Sequence, residues 1–100
     1  MTSSLNILGD LEQFLYLVAR QIGVQWSELA SKLDFGDSIE VIRQENCYNV
    51  FNQAHALLRK WKQKEGLNAT VKELLVVLIE IRRRDIVDKN ENLKANQFVI

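Results

Sequence analysis

One hundred residues suffice for a single domain, and a hydrophobic share of 47% beside 26% charged residues excludes wholesale disorder. Thirteen basic and thirteen acidic residues cancel, so the chain as a whole carries no electrostatic bias toward nucleic acid or an anionic membrane. The one cysteine, Cys47, excludes an internal disulfide framework, and the longest apolar run, Leu74 to Ile79, falls far short of the ~20 residues a membrane-spanning helix needs.

The chain has no proline and four glycines, which favours helices joined by short turns over a strand-rich design. Met1 to Asp10 offers neither the basic start nor the apolar centre of a signal peptide, so the expected compartment is a reducing one, the cytoplasm first and the nucleus as the alternative. A first helix is predicted over about Asp10 to Gln21. Leu11, Phe14, Leu15, Val18 and Ile22 recur at helical spacing, Asp10 serves as N-cap and Gly23 stops the helix. A second covers about Gln25 to Leu33, with Trp26, Leu29, Ala30 and Leu33 turned inward and a turn at Asp34-Phe35-Gly36. Asp37 opens a short third helix, Glu40 completing a capping-box-like pair, and Ile39 and Ile42 face the core.

The fourth helix is predicted over about Val50 to Glu65, with Val50, Ala54, Leu57, Leu58 and Trp61 as its buried stripe and Gly66 ending it. Thr70 and Glu73 form a capping box for a fifth helix reaching about Glu80. Val76 and Val77 would suit a strand, but the cap and the flanking charges decide for helix. Asp85 heads a short sixth helix to about Asn90, with Ile86 and Val87 inward. Polar Met1 to Asn6 is expected to fray, Lys89 to Gln97 is weakly helical, and Phe98-Val99-Ile100 is an apolar tip expected to behave as a mobile end.

Five segments, in this order and spacing, carry a resemblance. They are Trp26-Ser27-Glu28-Leu29-Ala30, Ile42-Arg43-Gln44-Glu45-Asn46, Leu57-Leu58-Arg59-Lys60-Trp61, Asn68-Ala69-Thr70 and Asp85-Ile86-Val87. Over about residues 11 to 91 the chain resembles the death domain family, and within it the ankyrin type is the nearest look. Proteins that join ankyrin repeats to a death domain are more distant possibilities. The resemblance implies an all-α, six-helix antiparallel bundle that binds other death domains, copies of itself among the candidates, through asymmetric charged patches. One patch then meets a different one, and such contacts propagate rather than close. No ankyrin repeat or spectrin-binding module lies in these residues, so a cytoskeletal role does not follow from the one module. The implied function is a cytoplasmic signalling adapter, in cell death or elsewhere; the alternative is a regulatory module of an ankyrin-like membrane-cytoskeleton scaffold.

The charges supply patches of opposite sign. Between Val24 and Ile42, Glu28, Asp34, Asp37 and Glu40 stand against Lys32 alone, a net −3. Between Arg59 and Glu65, Arg59, Lys60, Lys62 and Lys64 stand against Glu65 alone, a net +3. Arg82, Arg83 and Arg84 form a second basic cluster before Asp85. Glu28, Asp34, Asp37, Glu40, Arg43, Arg59, Lys60, Lys62, Lys64, Arg82, Arg83, Arg84 and Asp85 are the candidate partner-binding residues, the arginines foremost because a guanidinium grips a carboxylate with two parallel bonds. Most charge runs are simply solvated faces; the family resemblance is what raises these above that reading.

Other chemistries are weighed and set aside. The second and third helices mimic a helix-turn-helix, but Asp37, Glu40 and Glu45 outnumber Arg43 on the helix that would enter the groove, which repels phosphate. Asn68-Ala69-Thr70 fits an N-glycosylation pattern, yet Thr70 reads better as a helix cap. His55 and Cys47 lie eight apart, off the spacing that puts two metal ligands on one helical face. Ser27, Cys47 and Thr70 have no base beside them and no glycine-rich phosphate loop is present, so neither catalysis nor a cofactor is expected.

Overall fold

The computed structural model describes residues 3–89, with side chains from residue 11 onward. Six α-helices follow one another: α1 (Ser3–Ile22), α2 (Trp26–Lys32), α3 (Ile39–Glu45), α4 (Val50–Glu65), α5 (Val71–Glu80) and α6 (Arg84–Lys89). Short 3-10 turns at Gly23–Gln25, Gly36–Ser38 and Gly66–Asn68 join them. No strand occurs among the described residues, in keeping with the all-α expectation.

The apolar stripes read from the sequence meet in one core. Phe14, Leu29, Ile42, Leu58, Leu74 and Ile86, one from each helix, are all fully buried together. Both tryptophans join them at 2% exposure, and α1 packs most extensively against α4. Val50 departs from its stripe: it stands at the first turn of α4 and is 36% exposed.

Helix starts show where side-chain capping was needed and where it was not. Thr70 Oγ1 accepts from the Glu73 amide at 3.2 Å, the cap half of the expected box; the reciprocal bond from the Thr70 amide to the Glu73 carboxylate is absent among the described residues. Asn49, not anticipated, does the same for α4, accepting from the Asn52 amide at 2.9 Å. The expected Asp37–Glu40 cap of α3 is absent. Asp37 lies inside the 3-10 turn, and the orphan donors are met by backbone instead, Ser38 N–H on Phe35 C=O and Ile39 N–H on Gly36 C=O. At α1 the backbone is helical from Ser3, so Asp10 is interior rather than a cap and Ser3 to Asn6 belong to the helix. The reason is legible in hindsight, since Leu5, Leu8, Leu11 and Leu15 continue the three- and four-residue spacing upstream. The expectations for Met1, Thr2 and residues 90–100, including the apolar tip, lie outside the described residues.

Chain reversals after α2 and α5 are both Schellman turns. Phe35 N–H bonds Ala30 C=O at 2.7 Å after α2, and Arg83 N–H bonds Leu78 C=O at 2.8 Å after α5. Their left-handed residues are not glycines but Asp34 (φ 71°) and Arg82 (φ 65°). The second reversal aims Arg83 back across the end of α1, which fixes the geometry described next.

Candidate partner-binding surface

Burial sorts the candidate charges. Glu28, Asp34, Asp37, Glu40, Arg43, Arg59, Lys64, Arg82, Arg84 and Asp85 are exposed; Lys60, Lys62 and Arg83 are half-buried. Within the fourth helix the basic groups divide by partner. Lys62 is ion-paired to Glu12 of α1. Lys64 lies 3.9 Å from Asp34 and 5.2 Å above the Phe35 ring. The acidic α2–α3 region and the basic helix therefore touch within one chain at this point. Asp34 is 94% exposed there, and so open a pair contributes at most about 1 kcal/mol, so it yields readily to a competing partner. Arg59 and Lys60 have no ion pair or hydrogen bond among the described residues. They are the basic groups of α4 that remain available.

On the acidic side, Glu28 accepts from Gln25 Nε2 at 3.1 Å and Glu40 pairs with Arg43 at 3.3 Å. The Arg43 guanidinium also lies 5.6 Å over the indole of Trp26, so it covers the core as well as presenting charge. Asp37 is exposed and carries no such partner among the described residues.

The third basic cluster is split by the fold. Arg83 donates to Ile22 C=O (2.9 Å), Gln21 C=O (2.9 Å), Gln25 Oε1 (3.0 Å) and both carboxylate oxygens of Asp85 (3.0 Å each). These five bonds occupy all five guanidinium N–H groups. Arg83 and Asp85, expected at a partner surface, are instead committed to each other and to the C-terminal carbonyls of α1, which a cation suits. The pairing pushes the Arg83 guanidinium further up, and the bond from Arg83 holds the Asp85 carboxyl below the usual carboxylate range. Arg82 and Arg84 remain exposed on either side of this latch.

Two grooves flank the outer face of α4. One of about 450 Å³ is lined by Glu12, Arg59, Lys62, Gln63, Gly66 and Leu67. The other, about 310 Å³, is lined by Glu45, Asn46, Ala56, Arg59, Lys60 and Gln63. Arg59 and Gln63 form the wall they share.

Several residues here escaped the reading of the sequence. Gln53 is buried, accepts from Trp26 Nε1 at 2.9 Å and donates to Asn46 C=O at 3.1 Å, tying α2 to the α3–α4 turn. Gln25 links Arg83, Glu28 and the Ile81 carbonyl. On the α1–α4 face, Phe51 and His55 stack at 5.5 Å and Tyr16 meets Phe51 edge-on at 5.3 Å, with Arg20 over the Tyr16 ring. The Phe51–His55 spacing of four was the available signal.

Burial, and then the neighbouring Arg59, push the His55 imidazole down from its ordinary value, while Glu12 opposes them. Such a group binds its proton more readily in the unfolded chain. Stability therefore rises with pH, and falls as pH drops from about neutrality through 6.5 toward the folded value. His55→Phe, which keeps a ring against Phe51, is expected to flatten that part of the melting-temperature profile between about pH 7.5 and 5.5. An unchanged slope would remove His55 as its source.

Cys47 Sγ donates to the Gln44 carbonyl, while His55 is engaged with the aromatic rings. Among the described residues no helix is long and apolar enough to cross a membrane.

A family model described as Death domain matches residues 12–93. The chain is 44% identical over 72 residues to Ankyrin-3 of Mus musculus, a match covering 71% of this chain and 4% of that protein. It is 35% identical over 89 residues to Ankyrin-1 of Homo sapiens, covering 88% and 5%. Similarity to Tumor necrosis factor receptor superfamily member 21 of Rattus norvegicus is 34% over 80 residues, covering 79% and 12%. The chain thus spans a small part of each relative's length.

Proposed function

Because the chain belongs to the death domain family, a family of homotypic protein–protein interaction modules, we propose that it joins other death domains, copies of itself included, through its acidic α2–α3 region and the outer face of α4. The observation that carries this reading is the availability of Arg59 and Lys60, which no group among the described residues neutralises, in a chain whose α2–α3 region leaves Asp37 open. The contact is heterologous, so units add head to tail. Complementary charge sets its register and its rate of encounter more than its affinity, and makes it salt-sensitive. In this reading the module is a cytoplasmic signalling adapter with no catalysis, cofactor, nucleic-acid contact or membrane insertion of its own.

A second reading, a regulatory module within an ankyrin-like scaffold, is favoured by the higher identity to Ankyrin-3. Whether ankyrin-like or signalling modules accompany this domain would separate the two.

Arg59→Glu with Lys60→Glu tests the surface, because neither side chain makes an ion pair or hydrogen bond among the described residues. Sedimentation velocity from low to high micromolar should show salt-sensitive assembly of the wild-type chain and a monomeric variant of unchanged helix content. Assembly of the variant equal to wild type would sink the proposal.

A further inference from the structure

The two most exposed large apolar side chains among the described residues are Tyr48, fully exposed, and Leu67, at 99%. They stand at opposite ends of α4. Tyr48 holds a left-handed backbone (φ 62°), where a bulky residue is an outlier and glycine or asparagine the relaxed choice. It immediately precedes the Asn49 cap, a position from which an apolar side chain ordinarily staples onto the fourth residue of the helix. That residue is Gln53, which is turned inward to Trp26 and the Asn46 carbonyl. The Tyr48 ring therefore makes no hydrogen bond or ring contact among the described residues. One turn upstream, Glu45 is exposed and has no ion pair among the described residues.

Leu67 is an apolar wall of the 450 Å³ groove, a volume in the range that accepts a ligand-sized group. The groove's charges are unequal in availability, since Glu12 and Lys62 neutralise each other and Arg59 is left over. It thus offers an apolar side and one unpaired guanidinium, complementary to an aromatic ring with a carboxylate beside it. At 1.5 Å per residue, α4 places Tyr48 roughly 17 Å from Arg59 and roughly 27 Å from Gly66 along the helix axis, so the ring stands well away from the groove of its own chain.

We propose that Tyr48 of one copy seats in the Arg59–Leu67 groove of the next copy, with Glu45 of the first against Arg59 of the second. Tyrosine suits the part, giving a large rigid contact and a polar tip at small entropic cost. The contact uses two different patches, so each unit keeps one free Tyr48 and one free groove, and assembly propagates. This inference rests on the homotypic association proposed above and names its anchor.

The test is sedimentation velocity on Tyr48→Ala, Glu45→Arg, Arg59→Glu and the double reversal Glu45→Arg with Arg59→Glu, with melting temperature recorded for each. Tyr48→Ala should weaken self-association about tenfold or more, the scale of a truncated aromatic anchor, without lowering the melting temperature. Each single charge reversal should weaken assembly and the double reversal should restore it. A Tyr48→Ala chain that assembles as wild type, or a double reversal no better than the singles, overturns the docking. If Arg59→Glu with Lys60→Glu abolishes assembly under the same conditions, the broader reading survives that failure. A wild-type chain that stays monomeric throughout overturns both.

Discussion

Truncating Trp26 to alanine is expected to lower the unfolding free energy by about 3–5 kcal/mol, a large part of the 5–15 kcal/mol typical of a domain. The indole is 2% exposed and enters the core at the start of α2. Its removal leaves a cavity and also strips Gln53 Oε1 of its donor inside the core, and an orphaned acceptor there costs about 1–3 kcal/mol. Trp26→Phe separates the contributions, since it keeps most of the ring and loses the N–H. Urea unfolding should show a lower midpoint at an unchanged slope. A loss below about 1 kcal/mol for the alanine variant would mean that the ring does not hold the core.

Arg83→Ala is the second large effect, about 2–3 kcal/mol, from five charge-assisted bonds that close the end of α1 and the Gly23–Gln25 turn against α6. In a domain of this size that corresponds to a melting temperature lower by roughly 10–20 °C. Arg83→Lys should recover little, because an ammonium cannot reproduce the planar fork that spans two carbonyls and a carboxylate. Neighbouring Arg82→Ala and Arg84→Ala should be near neutral for stability, since neither has a partner among the described residues. Equal losses at all three would contradict the latch. The depressed Asp85 carboxyl adds an acid signature. The Arg83–Asp85 contribution is fully present above the unfolded carboxyl value of 3.8 and is lost as pH falls below it through the folded value.

These two residues mark how far one-dimensional reading reached. Trp26 as a core residue was legible, because Leu29, Ala30 and Leu33 repeat on its side at helical spacing, and burial of such a stripe is the only way a water-soluble helix can stay packed. The same logic yielded the end of α1 at Gly23, the span of α4 and the Thr70 cap, each a local signal read within one turn of helix. Val50, 36% exposed, broke the rule because period sets the face a residue occupies and not its burial.

The charges were another matter. Arg82, Arg83 and Arg84 are identical in type and adjacent in sequence, yet one is a latch with every donor used and two face solvent. That difference comes from the Schellman turn after α5 and from the carbonyls of a helix some sixty residues away in sequence, at |i−j| of 61 and 62. Likewise the four basic groups of α4 read as one patch, and only the approach of Glu12 and Asp34 leaves Arg59 and Lys60 as the open pair. Helix period, turn chemistry and core identity depend on near neighbours, so the sequence by itself determined them. Which charge is available to a partner depends on what the folded chain brings within a few ångströms, and only the tertiary structure decided that.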